Sequence, residues 1–230
     1  MSHDLQLRPI AVIHTDFPTK FGIPRQPRLA DTLQATLVFE PDYRVEEALR
    51  GIEDFSHLWL IWGFSENKDR GWSPTVRPPR LGGNTRVGVF ATRSPFRPNG
   101  LGLSCVRLLS VRKDPKLGSV LLVSGADMVD GTPIYDIKPY LPYTDCVPEA
   151  VGGFAPDEGR QLRVSFPEER ERLVPKDKRE GLRAVLAHDP RPAYQRDPER
   201  IYGLPFAGLE IHFRVDETTL TVVSVESVSS

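Results

Sequence analysis

The sequence predicts a β-rich α+β protein whose first two-thirds form a barrel or sandwich rather than a doubly wound parallel sheet. Three observations carry this. Short segments of alternating or continuous apolar residues recur, Gly- and Pro-rich turns separate them, and no G-x-G-x-x-G follows any strand. Six or seven strands with few helices between them fit closed or stacked antiparallel sheets.

The elements follow in order. Strands are expected at Leu7 to Thr15 and at Leu33 to Glu40, where Leu33, Ala35, Leu37 and Phe39 alternate with Gln34, Thr36 and Glu40. Pro41 ends the second strand. Asp42 can cap a short helix through about Arg50, with Gly51 at its left-handed C-terminal cap. Phe55 to Phe64 is apolar nearly throughout and reads as a strand buried on both faces. Further strands are expected at Arg86 to Ala91, Ser104 to Arg112, Ser119 to Ala126 and Ile134 to Lys138. Pro139 to Gly159 reads as a connector. Beyond it, Arg160 to Phe166 alternates as a strand, and Leu182, Val185 and Leu186 have helical spacing up to the Asp189-Pro190 break. Leu209 to Val215 and Thr218 to Val225 make a hairpin.

At 230 residues, 39% hydrophobic and 27% charged, the chain has room for one large domain or a main domain with an appendage. No apolar run approaches the roughly 18 to 20 residues of a membrane span, and the N-terminus carries no secretory pattern. Cys105 and Cys146 have neither zinc nor redox spacing, which fits a reducing cytosol. The near-neutral total, 30 basic against 31 acidic residues, hides a segregation. From Arg70 to Lys113 there are eight arginines, one lysine and no acid, so the rest of the chain is correspondingly acidic. Such a local positive segment suits an anion, nucleic acid among them. A solvated basic loop is the plain alternative.

Three loops could carry chemistry. Gly88 to Ser104 is shaped by prolines and glycines and offers Arg93 and Arg97 as planar forks for carboxylate or phosphate. Asp127 to Tyr143 brackets the Asp130-Gly131 turn with Asp127, Asp130 and Asp136, though such a turn can be purely structural. Lys20 to Arg28 is a proline-fixed loop that exposes Arg25 and Gln26. The five histidines form no H-E-x-x-H, and there is no G-x-S-x-G or Walker loop, so metal hydrolysis and P-loop chemistry are not expected. His57 reads as a satisfied core histidine.

Pro24-Arg25-Gln26, Phe55 to Trp59, Pro78 to Gly83, Gly88 to Pro98, Asp130 to Tyr140 and Asp189 to Tyr194 occur in one order over nearly the whole chain. In this the chain resembles the TrmO (TsaA-like) family of S-adenosylmethionine-dependent methyltransferases, which act on threonylcarbamoyladenosine beside the tRNA anticodon. The resemblance implies a non-Rossmann β-barrel methyltransferase domain over residues 1–145 and a small α+β domain over 146–230 that helps engage tRNA. It also implies a homodimer; the cytoplasmic location and the absence of a membrane span or metal are expected from the composition and residue inventory above. By matching position it implies cofactor contacts at Pro24, Arg25, Gln26, Ser65, Glu66, Arg93, Leu103 and Asp127, Met128, Val129 and Asp130. The chain departs from the family's pattern at Ser65-Glu66, where a His-containing pair is common, and at Gly100, where proline is common.

Methyl transfer is an in-line displacement, so the protein mainly aligns nucleophile, methyl and leaving sulfur. The accepting nitrogen lies between an adenine ring and a carbonyl, so its proton must leave around the time of attack. Asp130 and Asp136 are the candidate catalytic carboxylates. Arg97, Lys138, Arg191 and Tyr194 are the candidate contacts to the anticodon stem-loop, by charge and stacking. A non-catalytic RNA-binding β-module and a small-molecule methyltransferase of the same fold are the alternatives.

Overall fold

The computed structural model describes residues 5–27, 29–67, 71–156, 161–191 and 197–228. Six strands of the first 139 residues close a barrel: β1 (Ala11–His14), β2 (Gln34–Phe39), β3 (His57–Gly63), β6 (Leu101–Asp114), β7 (Gly118–Ser124) and β8 (Thr132–Pro139). They pair antiparallel in the order β1-β2-β7-β6-β3-β8, and β8 returns to β1 with Ala11 opposite Ile134. Inward positions recur every second residue, which is the alternation the strand pattern demands. Ile13, Leu37, Leu58, Leu60, Val106, Leu121, Val123 and Ile134 are fully buried there. Each contributes roughly 1.5 to 3 kcal/mol of apolar burial. A two-stranded ribbon, β4 (Thr75–Val76) with β5 (Val87–Gly88), stands beside the barrel and begins the loop that carries Arg93.

The second unit is a four-stranded sheet of order β10-β11-β12-β9, covered by two helices. Its strands are β9 (Arg163–Ser165), β10 (Tyr202–Phe206), β11 (Leu209–Asp216) and β12 (Thr219–Ser227). The β11–β12 hairpin pairs antiparallel, and β9 adds to β12 in parallel. Helix α1 (Pro142–Asp145) lies in the connector; α2 (Glu168–Glu171) and α3 (Arg179–Ala187) belong to the second unit. Leu182, Val185 and Leu186 of α3 are buried, as their spacing predicts. The second core also takes Phe17, Ala30 and Leu33 from the segment between β1 and β2. A loop of the barrel's own chain is therefore part of the other unit's interior.

Several elements differ from expectation, each for a local reason. The helix expected over 42–50 is a pair of single 3-10 turns, Pro41–Tyr43 and Glu46–Leu49. Neither turn has a buried residue, so no apolar face rewards a longer helix. Gly51 is left-handed, at φ +85°, but opens the next turn rather than closing a helix. The strand expected at Phe55 to Phe64 buries alternate residues instead of both faces. Leu58, Leu60 and Trp62 point inward, while the outward Trp59 is only half covered, by Tyr140 at 5.7 Å and by the Asp145 carboxylate, which accepts its Nε1–H at 3.0 Å. Of the strand expected at Arg86 to Ala91, only Val87–Gly88 pairs; the rest turns as a 3-10 segment, Val89–Ala91. β10 and α2 were absent from the sequence reading.

Candidate functional site

A chain of polar contacts begins inside one end of the barrel. Trp62 on β3 faces Gly102 on β6 so closely that a Cβ on Gly102 would lie 2.3 Å from the indole. Glycine is required by that approach. The indole Nε1–H donates to Ser104 Oγ at 2.9 Å, and the Ser104 hydroxyl donates to Asp127 Oδ1 at 2.6 Å. Burial pushes the Asp127 carboxyl up to about 6, against the lowering effects of the Ser104 hydrogen bond and the Arg93 charge. Arg93 in turn donates to Gln26 Oε1. Two of the candidate loops are therefore in direct contact through Gln26 and Arg93, and the Arg93 charge acts on Asp127 of the third.

The loop that offers Arg93 is held by its own short side chains. Thr92 Oγ1 donates to the Val89 carbonyl at 2.8 Å and accepts Ser94 N–H at 3.2 Å; Ser94 Oγ accepts Phe96 N–H at 3.3 Å. Arg97 donates to the Thr92 carbonyl at 2.7 Å and lies 5.9 Å from the Phe90 ring centre. Its Nη1 is thus engaged with the backbone of its own loop.

The remaining predicted residues sort by location. Asp130 Oδ1 accepts Thr15 N–H at 3.0 Å and contacts His14 Nδ1 at 3.1 Å, so it pins the turn after β1. Met128 is buried in the barrel core, and its carbonyl accepts Thr15 Oγ1–H at 3.1 Å. Val129 is half-buried beside it, with its carbonyl accepting Thr132 Oγ1–H at 2.7 Å. Ser65 and the exposed Glu66 occupy a 3-10 turn after β3, where Phe64 N–H donates to the Gly100 carbonyl at 2.9 Å. Leu103 and Asp136 stand on either side of Ile61 in the sheet, the opposite face from inward Ser104. Asp136 there accepts Ile137 N–H at 2.9 Å and pairs with Lys138 at 3.1 Å. That puts one expected catalytic acid and one expected RNA contact in a single exposed ion pair. Pro24 is buried. Arg25 donates to the carbonyls of Asp189 and Arg191, and Arg191 holds the Asp189 carboxylate through Nε and Nη2 at 2.8 and 2.9 Å. Tyr194 lies outside the described residues. A cleft of about 630 Å³ beside Arg191 is lined by Asp189, Asp216 and Glu217 as well, a charge balance unsuited to phosphate.

Sequence reasoning missed Ser104 and Trp62. Ser104 carried a signal: it is the polar residue at an inward position of β6, in step with Val106.

Residues 12–146 match the family model for the tRNA-methyltransferase O N-terminal domain. The chain belongs to the TrmO family. Residues 159–228 match the TrmO C-terminal domain as well. An Escherichia coli K12 protein named tRNA (adenine(37)-N6)-methyltransferase is 42% identical over 233 residues, covering 96% of this chain and 97% of that one. A Pseudomonas aeruginosa relative, whose name carries the description S-adenosylmethionine-dependent methyltransferase, is 41% identical over 93% of both chains. The crystal structure of TrmO from Pseudomonas aeruginosa superposes with a TM-score of 0.76 at 34% identity, covering 99% of this chain and 100% of that one. Within this TrmO-family chain, Gln26 and Arg93 lie on two of the stretches whose order suggested the family, and Asp127 lies three residues before a third.

Proposed function

We propose that this chain transfers a methyl group from S-adenosylmethionine to N6 of threonylcarbamoyladenosine at position 37 of tRNA. The observation that carries the reading is the Arg93 hydrogen bond to Gln26, with the Arg93 charge acting on buried Asp127, in a TrmO-family chain. The donor fits these residues. Its amino-acid end has a carboxylate, and Arg93, held by Gln26, offers that carboxylate a guanidinium. When bound, S-adenosylmethionine supplies a methyl carbon made electrophilic by its positively charged sulfur.

The chain's own groups do the rest. Arg93, oriented by the Gln26 amide, holds a carboxylate. Ser65, Glu66, Leu103 and the backbone of 127–130 are assigned to the same cofactor site, Leu103 being exposed on the barrel's outer face. Among Asp127, Asp130 and Asp136, we assign proton acceptance to Asp127. The other two are spent on His14 and Thr15 and on Ile137 and Lys138. A carboxyl near 6 is mostly ionised at neutral pH yet basic enough to take a proton in the transition state.

Residues 1–145 are assigned to donor binding and residues 146–230 to the tRNA arm, with the anticodon stem-loop as partner. Lys138 and the basic 70–113 stretch are offered to its phosphates. A homodimer is part of this reading, and exposed Trp72, Phe90, Leu103 and Tyr143 are apolar groups that such an interface could cover. The cytoplasm, where tRNA is modified, is the assigned compartment.

Radiolabelled methyl transfer to tRNA with and without threonylcarbamoylation tests the reading. Label should enter only the modified tRNA, and Arg93→Ala should lose turnover while keeping its far-ultraviolet dichroism. Equal turnover by Arg93→Ala and wild type would remove the assigned site.

A further inference from the structure

Arg25 makes its bonds outside the barrel. Its Nη2 donates to the Asp189 carbonyl and to the Arg191 carbonyl, each at 3.0 Å, across 164 and 166 residues of sequence. The receiving turn is firmly built. Asp189 has a φ of +51°, a conformation that a non-glycine residue keeps only where its surroundings hold it. Those surroundings are visible: the two-point Arg191 ion pair on the Asp189 carboxylate, and the Tyr202 ring 6.0 Å from the Arg191 guanidinium.

The loop that carries Arg25 is anchored in the same unit. Phe17, Ala30 and Leu33 are in the second core, with Phe21 and Ile23 packed against it. Lys178 Nζ reaches Asp16 Oδ2 at 2.7 Å, with both side chains mostly buried, and Ala207 N–H donates to the Asp16 carbonyl at 2.9 Å. The next residue after Arg25 is Gln26, which meets Arg93 of the barrel loop. The second unit thus grips one residue while its neighbour touches the assigned donor site.

We infer that Arg25 is a positioning residue through which the C-terminal unit sets the affinity of the methyl-donor site. By tying the backbone at 24–26 to the 189–191 turn, it holds Gln26 where it fixes the Arg93 guanidinium. A preset guanidinium gives up less freedom when a ligand arrives, so affinity rises without any new contact. Arg25 acts here through Gln26. The inference rests on reading Gln26 and Arg93 as donor-binding.

The test uses the full chain and three variants, Arg25→Ala, Arg25→Lys and Arg93→Ala. Calorimetry with S-adenosylmethionine and steady-state transfer to threonylcarbamoylated tRNA are the readouts. Arg25→Ala should weaken donor binding and raise the donor KM about tenfold, as loss of two charge-assisted bonds warrants. Its kcat and tRNA KM should stay within about twofold. Arg25→Lys, whose ammonium can serve both carbonyls, should recover most of the loss. Unchanged donor affinity in Arg25→Ala, equal loss toward both substrates, or no recovery with lysine would overturn the latch. Arg93→Ala keeps the two readings apart. If it too leaves donor affinity intact, the donor site is misassigned; if it abolishes binding while Arg25→Ala does nothing, only the latch fails. Should Arg25→Ala not fold, Arg25→Gln replaces it, with a smaller shift of the same donor-only kind expected and its absence overturning the idea.

Discussion

Asp127 is the residue whose protonation the fold controls most. Burial holds its carboxyl near 6, above the ordinary 3.8, so the folded state keeps a proton that the unfolded chain releases. Stability from this group is complete below about pH 4 and declines as pH rises to about 6, above which a roughly constant penalty remains. The shift corresponds to roughly 3 kcal/mol. Asp127→Asn keeps an oxygen for the Ser104 hydroxyl and removes the charge. We expect it to melt higher than wild type at pH 8, to match it near pH 4, and to lose methyl transfer. A variant no more stable than wild type at pH 8 would show that the carboxylate is not confined as described. At this scale the sequence was partly legible. Asp127, Arg93 and Gln26 were singled out because Pro- and Gly-shaped loops mark candidate sites, whereas the bonds that Asp130, Asp136, Arg97 and Arg191 make were not legible, because sequence does not show which groups a side chain will satisfy. Arg97 and Asp130 turned out to serve neighbouring amides and carbonyls.

Among the elements, the loop from 15 to 33 links barrel and second unit most directly. Gly22 within it has φ +83°, and an added Cβ would fall 2.0 Å from Leu204 Cδ1 on β10. Gly22→Ala therefore combines an unfavourable backbone with overpacking against a fully buried leucine. We expect a loss of about 2 to 4 kcal/mol in urea titration, the two costs taken together. A change below about 0.5 kcal/mol would mean that the loop moves away without penalty. The strands were readable because alternation is enforced by the barrel interior, as in β2. The short helix was misread because Pro41 and the acids after it supply start signals without an apolar stripe to bury. β10 was missed because Pro205 and two nearby glycines disguise a strand whose Tyr202, Leu204 and Phe206 all face the core.

In the whole molecule, two apolar interiors are joined by one shared segment. Phe17, Ala30 and Leu33 belong to the second core, yet they are covalently flanked by β1 and β2 of the barrel. Melting the second unit frees the 16–33 loop and loosens the sheet edges on both sides. Calorimetry should therefore record one transition whose van't Hoff and calorimetric enthalpies agree. Two resolved transitions would mean that the units unfold independently. The two-part organisation was visible in the change of pattern after the connector; the shared segment was not, because Phe17 and Leu33 look like ordinary barrel residues until their partners are known.

That shared segment also has a history in every newly made copy. Its apolar side chains leave the ribosome well before Leu162, Leu182 and Phe213, which will cover them, have been synthesised. At about 5 to 20 residues per second, the roughly 130 residues separating Leu33 from Leu162 take on the order of 6 to 26 seconds to make. During that interval a nascent chain carries a sticky, uncovered stretch next to its first two strands, and the second core can close over it only once Leu162, Leu182 and Phe213 have been made.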